Sequence, residues 1–508
     1  MTRLFAAIAH RRWAQALIVT LLCAVVFGVN LGTGGLTRSE GHRVGPGWQM
    51  LEHDHDGPRF VPHLFDTMYV RKPPGTPIAI AASTWVLGHN EWGARLPSAM
   101  ASLAMSLVVM VFAWRWFGTP YGLAAGMPQA LLPWFWESGR AAEIEAMHSL
   151  GAMLACLAVV QLALTRTKGA LAEIALMLGV GVAVLTKGPA AGVALVSACL
   201  GASLATRSAG GLTYRVRAGV FVGLGTPLML LAMMWGYAHI ARTTGEVVVS
   251  QSPGEFLWGD PLGSLALPFV AIVMAMPMSL SLLFPWGPDA REEAARDGDS
   301  SRAHTVVLAL AWAWLIGAVG SAVIGLSNPR YVLPVATMTA PMVAYVVWGA
   351  CGGFDAKRRA IARAMLLAGK TTRAPGLLWI PILLVGWGVY VFVVERGVRA
   401  TSGREAGFEI AALLTDLSPD GGVIHADHAI EARPEVLLYA EREHDALRGG
   451  WSVWTQDADL PPTGDWVLLR VDDGSDERSR LAERGLALGD AAWQGDVHKY
   501  TFALFRVE

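Results

Sequence analysis

Ionisable residues gather at four places along this chain, each beside a long apolar run. They are Glu40, His42 and Arg43; Arg71 and Lys72 ahead of Pro73 and Pro74; Arg140, Glu143 and Glu145; and Arg330 with Tyr331. Charge at the edge of hydrocarbon is costly unless it is paired or functional. For any one of these residues the plainest account is a mutual salt bridge plus interfacial anchoring. Convergence on one face favours a site instead. A lysine and arginines beside carboxylates at a lipid boundary suit an anionic lipid head group, because ammonium and guanidinium groups are the side chains that hold phosphate. His42 offers a proton acceptor near neutral pH; its plainer reading is a solvent-exposed loop histidine. The run His53 to Asp56, HDHD, holds two residue types that ligate divalent ions. His53 and His55 lack a further identifiable ligand, so a divalent metal is not indicated and the run reads as a solvated loop.

The elements that must position these groups are membrane spans. The chain has 508 residues, 53% hydrophobic and 16% charged, with 20 Trp, and a mean hydropathy of +0.42. That is too apolar and too poor in charge for an ordinary soluble protein. The net charge of -1 gives no reason to expect nucleic-acid binding. Apolar runs of spanning length predict about 11 transmembrane helices: 14–30, 96–117, 121–136, 147–164, 171–186, 188–205, 216–240, 263–283, 306–326, 332–350 and 377–394. Thr76 to Leu87 is apolar but short, so it is expected on the outer surface as an interfacial or re-entrant helix. Cys23, Cys156, Cys199 and Cys351 show no ligand spacing and are expected to be buried packing residues. Trp114 to Phe117 and Pro133 to Glu137 fit an aromatic belt.

Basic residues fix the expected orientation. Arg3, Arg11 and Arg12 precede the first span, which reads as a retained signal anchor with a cytoplasmic N-terminus. Arg115, Arg166, Lys168, Arg207, Arg215, Arg217, Arg291, Arg296, Arg302 and the stretch Lys357 to Arg373 then fall in cytoplasmic loops. The polar segment from Leu36 to Pro97 becomes a large first outer loop. After Glu395 the composition becomes that of a soluble domain. Gly403 to Leu417 is expected as an amphipathic helix, 422–427, 435–440, 466–471 and 500–507 as strands, and 476–486 as a second helix. The domains expected are thus a transmembrane part, 1–397, and a small extracytoplasmic α/β part, 398–508.

The order of motifs resembles the GT-C membrane glycosyltransferases, specifically the protein O-mannosyltransferase and lipid A aminoarabinose transferase group, family 39-like. The pieces are SEGHR (39–43), VPHLFDTMYVRKPPG (61–75), ARLPSA (94–99), GRAAEIE (139–145), VLTKGPA (184–190) and PRYVLP (329–334). The resemblance implies a mainly α, polytopic fold, a bacterial inner-membrane location, and transfer of a sugar from a polyprenyl-phosphate carrier to a lipid or protein acceptor. It implies that Lys72 binds the carrier phosphate, with Arg330, Tyr331 and Arg43 on the same side, and that Glu145 fills the second acidic position. Relatives usually read Asp-Glu followed two residues later by Arg, where this chain has Ser39, Glu40 and His42. Arg71 stands where the aminoarabinose transferase has Glu.

Sugar transfer from such a carrier needs a base for the acceptor's proton and positive charge on the leaving phosphate. Ser39 is no base at neutral pH, which leaves Glu40, Glu145 and His42 as candidates. The Ser39 substitution also fits an inactive relative that binds the carrier lipid. A transporter would place charges or broken helices near the bilayer midplane in related halves, a pattern this sequence lacks. No cofactor is identified.

Overall fold

The computed structural model describes residues 10–51, 60–65, 67–164, 170–206, 210–243, 248–249, 261–284, 299–326, 328–353, 356–365, 379–400, 403–420, 422–426, 433–444, 447–450, 461–471, 477–483, 485–497 and 500–508. In chain order the first helices are α1 (Arg12–Gly28), α2 (Arg38–Gln49), α3 (Gly75–Leu87), α4 (Glu91–Phe117), α5 (Leu123–Ala130) and α6 (Trp134–Ser138). Then come α7 (Ile144–Leu164), α8 (Ala170–Lys187), α9 (Ala191–Thr206), α10 (Gly210–Thr243), α11 (Pro261–Met274) and α12 (Asp299–Val323). The series ends with α13 (Leu333–Ala336), α14 (Thr339–Trp348), α15 (Ala356–Met365), α16 (Trp379–Val389), α17 (Arg396–Ala400), α18 (Arg404–Leu417), α19 (Glu435–Glu443) and α20 (Glu477–Glu483). The protein is mainly α. Among the described residues, 7 helices are long and apolar enough to cross a membrane, and α1, α3 and parts of α9 and α11 are shorter apolar helices.

The chain divides into two compact units. The first comprises 1–29, 98–232 and 251–390. Its helices pack through small residues, as expected where lipid removes the hydrophobic drive for association. A Cβ on Gly151 of α7 would lie 2.5 Å from the Ala183 nitrogen of α8, and one on Gly179 2.5 Å from the Ala155 nitrogen. A Cβ on Gly201 of α9 would meet the Ala309 oxygen of α12 at 2.5 Å. These backbones touch because the glycines have no side chain, and larger residues would wedge them apart. The run 121–136, expected as one span, is two short helices, α5 and α6. Pro133 has no N–H to donate and turns Leu132 away from helical geometry.

The second unit comprises 30–97, 233–250 and 391–508. Its small sheet, order β1-β2-β3, joins β1 (His63–Leu64) and β2 (Thr67–Tyr69) of the polar segment to β3 (Val248–Val249). Helix α3 buries Thr76, Pro77, Ile80, Ala81 and Thr84 and exposes Trp85 and Val86. Its 13 residues are too few for a straight span. The C-terminal part is a five-stranded sheet in the order β5-β4-β6-β8-β7, built from β4 (Gly422–Ala426), β5 (Leu447–Gly450), β6 (Trp466–Arg470), β7 (Leu488–Val497) and β8 (Tyr500–Val507). Strand β4 runs parallel to β5 and β6, while β8 is antiparallel to β6 and β7. Val467, Leu469, Leu481, Ala503, Phe505 and Val507 pack beneath it.

Three expectations change. Residues 435–440 form a helix, not a strand: Pro434 precedes the first turn and Leu, Ala, Glu and Arg favour helix. Residues 38–49 are helical, not loop. Cys351 is exposed and Cys199 half-buried, whereas Cys23 and Cys156 are buried as expected. Of the basic positions that carry the orientation argument, Arg3, Arg166, Lys168, Arg207, Arg291, Arg296, Lys370 and Arg373 lie outside the described residues. So do His53 to Asp56.

Candidate functional site

In the first unit, α7 and α8 bring the expected Glu145 together with Lys187, and the turn Pro329–Tyr331 adds the expected Tyr331. Glu145 lies in the first turn of α7 and Lys187 is the last residue of α8. The glycine contacts that bring these antiparallel helices close set the pair at 3.2 Å, Nζ to Oε1, with each side chain 5% exposed. One turn inward, His148 Nδ1 lies 3.2 Å from the Ala183 carbonyl oxygen, a second polar tie between the same helices. The Lys187 ammonium sits 4.5 Å from the centre of the Tyr331 ring, an arrangement that attracts a cation to the ring face. Burial, and then the charge of Glu145, push the Tyr331 phenol up to about 12, so it remains a donor at neutral pH.

Arg330 occupies a tight turn, Pro329–Tyr331, where the Asn328 side-chain oxygen accepts the Arg330 backbone N–H at 3.0 Å. Its guanidinium, 40% exposed, reaches Glu143 at 3.6 Å and Glu137 at 3.8 Å. The unit thus sets one buried and one solvent-reachable cation among three carboxylates at the ends of apolar helices. Arg140, grouped with Glu143 and Glu145 in the sequence, does something else. Fully buried, it donates to the carbonyls of Val26 at 2.9 Å and Val29 at 2.6 Å, closing the C-terminal end of α1.

In the second unit, Glu40 caps its own helix. Its Oε2 accepts the Thr37 backbone N–H at 2.8 Å in a capping box. The same carboxylate meets Arg95 of α4 in a two-pronged pair, Nε to Oε1 at 2.7 Å and Nη2 to Oε2 at 3.0 Å. Arg95 is fully buried and also donates to the carbonyls of Leu31 at 2.9 Å, Thr33 at 3.2 Å and Gly35 at 2.7 Å. His42 is not the exposed loop histidine that its neighbours in sequence suggest. It is buried on α2, parallel to the Tyr69 ring with centroids 6.3 Å apart. Arg43 donates to the Tyr69 hydroxyl at 3.0 Å. Lys72 and Arg71 lie half-buried in the bend that follows β2. Sequence reasoning did not assign roles to Arg95, Lys187, Tyr69 or Tyr439. A charge inside or at the end of an apolar span was the available signal for the first two, and the capping-box pattern Thr37-x-x-Glu40 the signal for the helix. Among the described residues, no three His, Cys, Asp or Glu side chains gather as for a metal ion.

These helices and polar groups make up a polytopic membrane fold of GT-C type, like that of ArnT. Residues 71–235 match the model of the dolichyl-phosphate-mannose-protein mannosyltransferase family. The fold is similar to the crystal structure of ArnT from Cupriavidus metallidurans bound to undecaprenyl phosphate, with a TM-score of 0.62 and 16% identity over 96% of this chain and 97% of that one. The apo ArnT structure matches to the same degree, TM-score 0.62, 16% identity, 96% and 97% coverage. Archaeal oligosaccharyltransferase AglB from Archaeoglobus fulgidus matches with a TM-score of 0.44 and 10% identity, over 97% of this chain and 74% of its own. No curated protein matches the sequence.

Proposed function

We propose that this protein is an integral-membrane glycosyltransferase that moves a sugar from a polyprenyl-phosphate carrier to a lipid or protein acceptor outside the cytoplasm. The observation that carries this reading is the cluster of Lys187, Arg330 and Tyr331 around Glu143 and Glu145 at the ends of apolar helices. Breaking the bond between a sugar and a carrier phosphate leaves negative charge on the phosphate, and fixed cations in a site shielded from water stabilise that charge most strongly. The proposed phosphate-side groups are Arg330 and Tyr331 in the first unit, and Lys72 and Arg43 in the second. Glu145 is the favoured proton acceptor in the first unit, with Glu40 and His42 as candidates in the second. Crystallised ArnT holds undecaprenyl phosphate, which supports a carrier of that class here. The reading takes the N-terminus as cytoplasmic, residues 398–508 as an extracytoplasmic domain, and the bacterial inner membrane as its location.

The pairing of Glu40 favours a second reading, an inactive relative that retains only carrier-lipid binding. A carboxylate held by Arg95 on both oxygens is a weaker base, and Ser39 stands where the family usually has Asp. The test is transfer of radiolabelled sugar from synthetic polyprenyl-phosphate donors by the purified protein in nanodiscs. Turnover lost in Glu145→Gln supports the first reading. Carrier binding without turnover for any donor supports the second.

A further inference from the structure

Helix α19, from the C-terminal part of the second unit, is held between two glycine faces. On α2, Gly41 and Gly45 stand four residues apart. A Cβ at Gly41 would lie 2.9 Å from Pro434 Cγ and 3.0 Å from the Glu435 nitrogen, so Gly41 sets the close approach to α19; one at Gly45 would clash with Leu64 of β1 and only touch the Leu438 side chain, at 3.4 Å. At the start of α18, Gly403, which caps it, and Gly407 repeat the spacing: their Cβ atoms would lie 2.5 Å from Val436 Cγ2 and 2.6 Å from Tyr439 Cβ. Small residues one turn apart let helix backbones come together. Here they let α19 approach the helix of Glu40 more closely than a side chain would permit.

Tyr439 makes the polar tie at this junction. Its hydroxyl accepts the Leu36 backbone N–H at 2.6 Å and donates to Glu91 Oε1 at 2.9 Å. Leu36 directly precedes Thr37, the cap of α2. Glu91 opens α4, the helix that carries Arg95 one turn later. Arg404 and Arg442 face the same Glu91 carboxylate at 3.7 and 3.6 Å. One buried hydroxyl therefore ties the start of the Glu40 helix to the start of the Arg95 helix.

We propose that α19, acting through Tyr439, positions the Glu40 helix for sugar transfer, so that the C-terminal segment is a working part of the transferase. This rests on the function proposed above. Tyr439 is a positioning residue: it touches the backbone and the carboxylate that orient Glu40 and Arg95.

The test uses the full-length protein in nanodiscs and Tyr439→Phe, which keeps the ring and removes the hydroxyl. The expected kcat is lower by about 10- to 100-fold with KM for the carrier-linked sugar changed less than about twofold. Amide hydrogen exchange over residues 36–41 should quicken while exchange in β6 and β8 stays at the parent rate. Gly41→Ala, which pushes on Pro434 without touching Tyr439, should show the same split. Parent kcat in Tyr439→Phe overturns the proposal, as does equal quickening of exchange throughout the unit, which marks a merely structural role. If the parent transfers no sugar, the proposed function fails, and selective exchange at 36–41 alone decides this inference.

Discussion

Glu40 and Arg95, 55 residues apart, form a closed two-pronged ion pair in which neither side chain is more than 1% exposed. Opening a buried pair by removing one partner leaves the other charge desolvated, at about 3 to 5 kcal/mol. Glu40→Gln should therefore lower the thermal midpoint as well as any turnover. Arg95→Met should cost as much, and the double variant less than the sum. A Glu40→Gln protein with unchanged melting and turnover reduced by about two to four decades would instead mark Glu40 as a general base.

Lys187 and Glu145 make the corresponding pair in the first unit. Lys187→Met leaves Glu145 buried and unbalanced, and should destabilise the protein by about 3 to 5 kcal/mol. Lys187→Arg should recover part of that loss. Melting in detergent, followed by tryptophan fluorescence, measures both.

Arg330→Ala and Lys72→Ala should each weaken binding of a polyprenyl phosphate by about 1.5 to 3 kcal/mol, or about one to two decades. Neither should alter melting as much as Lys187→Met, since Arg330 is 40% exposed and Lys72 is half-buried. Titration calorimetry with a short-chain polyprenyl phosphate decides it. Parent affinity in both variants would move the phosphate site elsewhere.

Glu435 gives a pH signature. Burial pushes its carboxyl up from 4.5 to about 7, against the pull of Arg433 beside it. The folded state then holds a proton that the unfolded state has released, so stability falls as pH rises through that window. The loss by pH 8 relative to pH 4 is about 3 kcal/mol, since the folded and unfolded carboxyls bind the proton with affinities more than two decades apart. Glu435→Gln should flatten the profile of melting temperature against pH between those limits.

The spans were legible because a run of apolar residues is a local signal that a bilayer reads directly. Arg330 and Tyr331 stood out from type and place, and the structure sets Arg330 beside Glu143 and the Tyr331 ring under Lys187. Arg95 was in view within ARLPSA, yet its partner lies 55 residues away, and no local pattern names a partner. The segment 38–49 looked like loop because it holds three glycines and a proline, and its helix depends on Thr37 and Glu40 capping each other. Residues 435–440 were misread because a short apolar run fits strand and helix alike until its flanks decide. Lys187 stands in the sequence only as the lysine of VLTKGPA, at the end of an apolar run. Its importance comes from the close crossing of α7 and α8, which depends on Gly179 two turns back on its own helix and on Gly151 of α7.

The carbonyls of residues 30–35 are gathered by two arginines from distant parts of the chain. Arg95 takes Leu31, Thr33 and Gly35, and Arg399 takes Asn30 at 3.0 Å and Thr33 at 2.8 Å while paired with Glu395 at 2.6 Å. The second of these arginines is made some 300 residues after the first. At synthesis rates of about 5 to 20 residues per second, the segment leaving α1 waits tens of seconds for its last donors. Protease added to ribosome-arrested chains ending before residue 395 should cut near residue 33, and chains that include 399 should resist. The first turn outside α1 is thus among the last parts of the protein to be finished, and a nascent chain that stalls late carries an open seam close to where it began.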